Sequence, residues 1–93
     1  MLAIIQKIRK KFIDNEYEFT IPHFFEEMAE DNITFSDIEM VIKNGKINRK
    51  ITIDPRGIRY EVVGITNDGR AIAVICRIKS IGKLLFIITY AVE

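Results

Sequence analysis

At Lys46 the apolar period of this chain changes, and that change constrains the fold more than any other feature. Upstream, apolar residues recur at helical spacing. Ile4, Ile5, Ile8, Phe12 and Ile13 mark a helix over about Leu2–Asn15. Phe24, Phe25, Met28 and Ala29 mark a second over Pro22–Glu30, with proline at its start. Ile38, Val41 and Ile42 mark a third over Phe35–Lys43, opened by a Thr34/Asp37 capping box and closed by Asn44-Gly45 as a left-handed cap. Between the first two, Tyr17–Thr20 reads as a short strand or extended lead-in.

From Lys46 onward the period is two. Strands are expected at Lys46–Ile53, Ile58–Thr66, Arg70–Ile78 and Leu84–Val92. Asp54-Pro55-Arg56-Gly57 and Asn67-Asp68-Gly69 supply the turns between them, and Gly82 lies in the Lys79–Lys83 connection. Short turns make successive strands antiparallel neighbours. With 93 residues there is room for one core. The expectation is therefore a single α+β domain, its helices packed on a four- or five-stranded antiparallel β-meander. The last two strands are nearly continuous apolar runs, so both of their faces should be covered.

Composition closes several routes. Cys76 is the only cysteine and lies in an apolar run, so it reads as a buried thiol. No cysteine pair or histidine cluster has metal-ligand spacing, and no cofactor is expected. The N-terminal apolar run is too short for a secretory signal, no segment is long enough to span a membrane, and the default location is the cytoplasm.

The net charge of +1 conceals a sorting along the chain. Residues 1–15 carry a net +3, residues 16–45 a net −7 and residues 46–83 a net +6. The meander is basic and the segment before it acidic. Arginine and tyrosine standing among aliphatics on a sheet face suit phosphate and base contact. The plainer account is a solvated basic face with an internal counter-charge in the acidic helices. His23, the only histidine, opens the second helix and is suited either to proton transfer or to capping and packing there.

An ordered set of residues also resembles a known family. Thr20-Ile-Pro-His23, Met28, Ile33, Asn44-Gly45-Lys46-Ile47, Arg59-Tyr60, Gly64, Gly69-Arg70 and Ile87-Ile88-Thr89-Tyr90 are similar to domain-of-unknown-function family 4258. The likeness covers about residues 17–92 and leaves residues 1–15 as a helical extension. It implies a RelE/ParE-like toxin fold, related to the motility quorum-sensing regulator type, and a setting in a type II toxin–antitoxin pair. A cognate antitoxin of zinc-finger type is the implied partner, with RNA as substrate and a homodimer also allowed. The implied activity is a metal-independent mRNA endoribonuclease. The alternative is a non-catalytic interaction or RNA-binding module of the same fold. By this resemblance Arg70 would hold the scissile phosphate, and His23, Tyr60 and Tyr90 would serve in catalysis. Arg56, Arg59, Arg77, Lys79 and Lys83 would bind RNA. Where the family pattern has two arginines, this chain has Glu27 and Asp31. Acid at those positions repels phosphate unless the helix turns it away from the site.

Overall fold

A computed structural model of the protein describes residues 2–92. Three helices, α1 (Ile4–Ile13), α2 (His23–Glu30) and α3 (Phe35–Asn44), pack on five strands. The strands are β1 (Tyr17–Phe19), β2 (Lys46–Ile51), β3 (Arg59–Ile65), β4 (Ala71–Ile78) and β5 (Leu84–Val92), in the order β1-β5-β4-β3-β2. The meander β2 to β5 is antiparallel, as its turns require. β1 is parallel to β5, so the sheet is mixed rather than purely antiparallel. The chain leaves β1 through α2 and α3 and reaches β5 last, so this parallel pairing joins segments far apart in sequence. A three-residue strand is too short for its period to reveal that pairing. Among the described residues no helix is long and apolar enough to cross a membrane.

All three helices share one core with one face of the sheet. Ile8 and Phe12 of α1, Phe24 of α2 and Ile38, Val41 and Ile42 of α3 meet Val62, Ile72, Val74, Cys76, Leu84 and Phe86. An aromatic cluster binds α1 to this body. Phe12 stacks on Tyr17 at 5.0 Å between centroids, and Phe86 lies 5.3 Å from Phe19 and 5.8 Å from Phe24. Arg9 then donates to the carbonyls of Ile42 (2.9 Å) and Gly45 (2.7 Å), a cation at the negative end of α3. The basic stripe of α1 is thus partly internal.

The turn after α3 works differently from a left-handed cap. Gly45 is extended (φ −79°, ψ −176°). Glycine is required there by proximity, since a Cβ would sit 2.4 Å from the Val41 carbonyl oxygen and 2.6 Å from that of Val63. Gly64 extends the same seam, where a Cβ would lie 3.0 Å from the Val41 Cα. The Asp-Gly turn does use positive φ, with Gly69 at +83° and the Thr66 N–H bonded to the Arg70 carbonyl at 2.9 Å.

Among the described residues β1 pairs only with residues 84–86 of β5, and no strand lies along the rest of that edge. Side chains complete it. Thr20 Oγ1 donates to the Ile87 carbonyl at 3.1 Å, Glu27 accepts from the Thr89 N–H at 3.1 Å, and Asp31 accepts from the Ala91 N–H at 2.8 Å. The two acids that depart from the family pattern are therefore turned onto backbone donors. They satisfy N–H groups that would otherwise be costly to leave unpaired.

Cys76 is fully buried, and desolvation pushes its thiol up to about 12. Native protein is expected to react with a thiol reagent at least a hundredfold more slowly than protein in denaturant. Comparable rates would contradict the packing of β4.

Candidate nucleic-acid interface

The period of two divides the sheet into a helix face and an open face. Val62, Ile72, Val74 and Cys76 point to the helices, so Arg59, Glu61, Val63 and Ile65 of β3 and Ala71, Ala73, Ile75 and Arg77 of β4 point away. Among the described residues no helix covers this second face. Glu61 is nonetheless only 3% exposed, with Ala73 and Ile75 beside it also buried. Side chains from the flanking strands cover them.

Two bulges supply those side chains. In β2 the register slips between Ile47, opposite Val62, and Arg49, opposite Glu61, with Asn48 as the extra residue. In β5 it slips between Phe86, opposite Cys76, and Ile88, opposite Ile75, with Ile87 extra. Without the slips, simple alternation would turn Arg49 and Tyr90 toward the helices. With them, both face outward. Alternation alone places Tyr90 with both Phe86 and Ile88. In the structure Phe86 is a core residue, and Tyr90 shares the open face with Ile88.

The result is a polar cluster centred on Glu61. Tyr90, opposite Ala73, crosses β4 and donates its phenolic hydrogen to Glu61 Oε2. Arg49 Nη2 donates to the same oxygen at 3.1 Å, and Asn48 Nδ2 donates to Oε1 at 2.7 Å. Burial by itself pushes the Glu61 carboxyl up. The hydrogen bonds from Asn48, Tyr90 and Arg49 outweigh that and hold it below the usual carboxylate range. Tyr90 moves the other way. Its bond to anionic Glu61, together with burial and the nearby negative charge, raises the phenol above its ordinary value. Near neutrality the cluster is a carboxylate, a neutral phenol and a guanidinium on one uncovered surface. That set can accept a proton, donate one and bind an anion.

A model of the family described as Domain of unknown function (DUF4258) matches residues 21–90, about three quarters of the 93-residue chain. The chain belongs to this family. No curated protein and no solved structure gives a significant match to it. The DUF4258 match includes Glu61 and Tyr90 and omits α1 and β1, although both pack into the same core.

The structure disperses the other residues singled out from the DUF4258 sequence. Arg70 precedes β4 and turns to the helix side. Its guanidinium donates to the Asp31 carbonyl (2.8 Å), the Asn32 carbonyl (2.9 Å), Asp37 (3.2 Å) and Asp68 (2.9 Å). It ties the β3–β4 turn to the end of α2 and the start of α3, and these contacts occupy the donors that phosphate would need. Arg70→Ala is expected to lower stability by about 1–2 kcal/mol, visible as a reduced denaturation midpoint. An unchanged midpoint would contradict this role.

Tyr60 lies on the helix face, packed against the core. His23 is exposed in the first turn of α2, 3.2 Å from Glu27. Neither joins the Glu61 cluster. Arg56 and Arg59 pair with Asp54, and Lys79 pairs with Glu18. Lys83 is exposed in the β4–β5 turn. Arg77 is half-buried on the open face. Glu61, Arg49 and Asn48 do not stand out as site residues in the sequence, because simple alternation cannot locate a bulge. The one cue was Asn48, a polar residue poorly suited to a strand interior.

The shifted phenol makes the cluster measurable. A group whose pKa is raised by folding contributes stability that is present below its unfolded value and lost as pH rises through its folded value. Tyr90 should therefore add stability up to about pH 10 that disappears above it. Absorbance titration should show Tyr90 ionising above the ordinary tyrosine range, and Glu61→Gln should lower its midpoint. Late ionisation that persists in Glu61→Gln would contradict the assignment.

Proposed function

We propose that this DUF4258 protein is a RelE/ParE-like toxin component of a type II toxin–antitoxin pair, and that its open sheet face engages and cleaves RNA. The observation that carries this reading is the Glu61–Tyr90–Arg49 cluster, aimed by two bulges onto the face that the helices leave uncovered. Bulges that re-aim side chains are characteristic of functional sites. The ordered family-like residues, from His23 to Tyr90, support the toxin setting.

In this reading the chemistry is acid–base transfer within one hydrogen-bonded group. Glu61 accepts the proton of a ribose 2′-hydroxyl as the 2′-oxygen bonds to phosphorus. The bond from phosphorus to the 5′-oxygen breaks, and that oxygen takes the Tyr90 proton. Arg49 offsets the charge that develops on the phosphoryl oxygens. The proton gained by Glu61 returns to the phenolate along their existing hydrogen bond, and the products are a 2′,3′-cyclic phosphate and a 5′-hydroxyl. The exposed aliphatics of the same face, Ile65 and Val92, offer an antitoxin an apolar footing.

One observation favours a second reading, a non-catalytic interaction or RNA-binding module. Glu61 is almost fully buried and already accepts three hydrogen bonds, which weakens it as a base. Inducing the protein alone in cells separates the two, with growth and mRNA integrity followed beside the Glu61→Gln and Tyr90→Phe variants. The nuclease reading expects growth arrest and RNA cleavage that both variants abolish. Abundant folded protein with intact mRNA and normal growth would overturn it in favour of the module.

A further inference from the structure

At the end of the open face nearest the β2–β3 turn, two arginines of neighbouring strands face each other. Tyr60 pairs with Cys76, and one further step along that register sets Arg59 opposite Arg77. The row continues to Ile51 on one side and Leu85 on the other. Both arginines therefore stand on the open face of adjacent strands. Like charges directly opposite one another are unfavourable.

The turn places a third arginine and one acid beside them. Gly57 approaches the Arg77 stem so closely that a Cβ there would lie 3.2 Å from its Cδ. Within that turn Asp54 accepts from the Arg56 backbone N–H at 2.9 Å and from the Arg56 side chain at 3.1 Å. Asp54 also pairs with Arg59 through Nη2. That contact leaves the rest of the Arg59 fork unspent, and its Nε is buried with no acceptor among the described residues. Arg77 makes no ion pair among the described residues. Three cations against one carboxylate leave a local excess of two positive charges.

A buried guanidinium N–H without an acceptor is unusual, because unpaired buried donors are costly. The geometry points to a subsite for a phosphate dianion between Arg59 and Arg77, with planar forks suited to bidentate contact. A dianion matches the excess charge of two better than the single charge of an internal phosphodiester. The inference rests on the reading of the open face as an RNA surface and deepens it. The group held there is a terminal phosphomonoester, so the surface favours an RNA end that carries one. Free phosphate shares this chemistry, and the test separates the two sources.

The experiment titrates the full chain with inorganic phosphate and with short single-stranded RNA bearing either a 5′-phosphate or a 5′-hydroxyl, in EDTA. The variants are Arg77→Gln, which breaks no ion pair among the described residues, Arg59→Gln, and, as a control on the same face, Lys46→Gln, opposite Val63. The 5′-phosphorylated RNA is expected to bind about tenfold or more tightly than its hydroxyl counterpart, and Arg77→Gln should remove that advantage while Lys46→Gln keeps it. The preference should grow from pH 5 to pH 7 as the second phosphate proton leaves near pH 6. Binding of inorganic phosphate with no RNA preference would assign the subsite to the free ion. Equal binding of both RNAs with no phosphate binding would overturn the inference while leaving the RNA reading intact. Phosphate-dependent binding in a protein that never cleaves RNA would overturn the nuclease reading while leaving the subsite intact.

Discussion

Gly45→Ala is expected to lower the unfolding free energy by about 3 kcal/mol or more, measured by chemical denaturation. The cause is contact with main chain. The new methyl group would press on the carbonyl oxygens of Val41 and Val63, at 2.4 and 2.6 Å. Neither oxygen can swing aside, because one belongs to α3 and the other to the middle of β3. Relief would require α3 to lift from the sheet. The buried Ile38, Val41 and Ile42 would lift with it. Gly64→Ala tests the same seam at lower cost, about 1–3 kcal/mol, since its nearest contact is 3.0 Å. An alanine at position 45 that leaves stability unchanged would show that α3 does not approach β3 so closely.

The second large effect concerns chemistry. Glu61→Gln and Tyr90→Phe should each reduce RNA cleavage by about 10²–10⁴-fold, the usual contribution of a general base or acid. Both are near-isosteric. Glutamine retains an acceptor for Arg49 and Tyr90, and phenylalanine retains the ring that crosses Ala73. Each should therefore fold normally, with stability within about 1–2 kcal/mol of the parent. Because the two groups share one hydrogen bond, the double variant should lose little more than either single one. Variants that fold and still cleave at the parent rate would remove the cluster from the mechanism.

The elements of this fold were legible where a local rule decided them. Thr34 and Asp37 form the expected capping box, with bonds of 2.9 and 3.1 Å in both directions. The change of period at Lys46 marks the start of β2, and Cys76 lies in the core. Other features depend on neighbours distant in the chain. β1 gains its identity only by lying beside β5. Gly45 is glycine because of Val63, not because of its own φ. Arg70 reads as a free cation until Asp31, Asn32 and Asp37 close around it.

The candidate site was less legible than the fold, and for one reason. Single inserted residues at Asn48 and Ile87 reverse the facing of everything beyond them in their strands. A strict period of two therefore misassigns Arg49 and leaves Tyr90 grouped with Phe86. The same slips create the cluster. Acids at Glu27 and Asp31 would repel an approaching phosphate from an open position, yet their carboxylates face the β5 edge.

In the proposed function the open face, and not the basic helix α1, is the working surface of this protein. Amide chemical-shift mapping with short single-stranded RNA, at low salt and in EDTA, tests it most directly. Shifts are expected to concentrate at Arg49, Glu61, Arg77 and Tyr90 and to fade steeply as salt is raised. Shifts confined to Lys7, Lys10 and Lys11 of α1, or none at low salt, would contradict it.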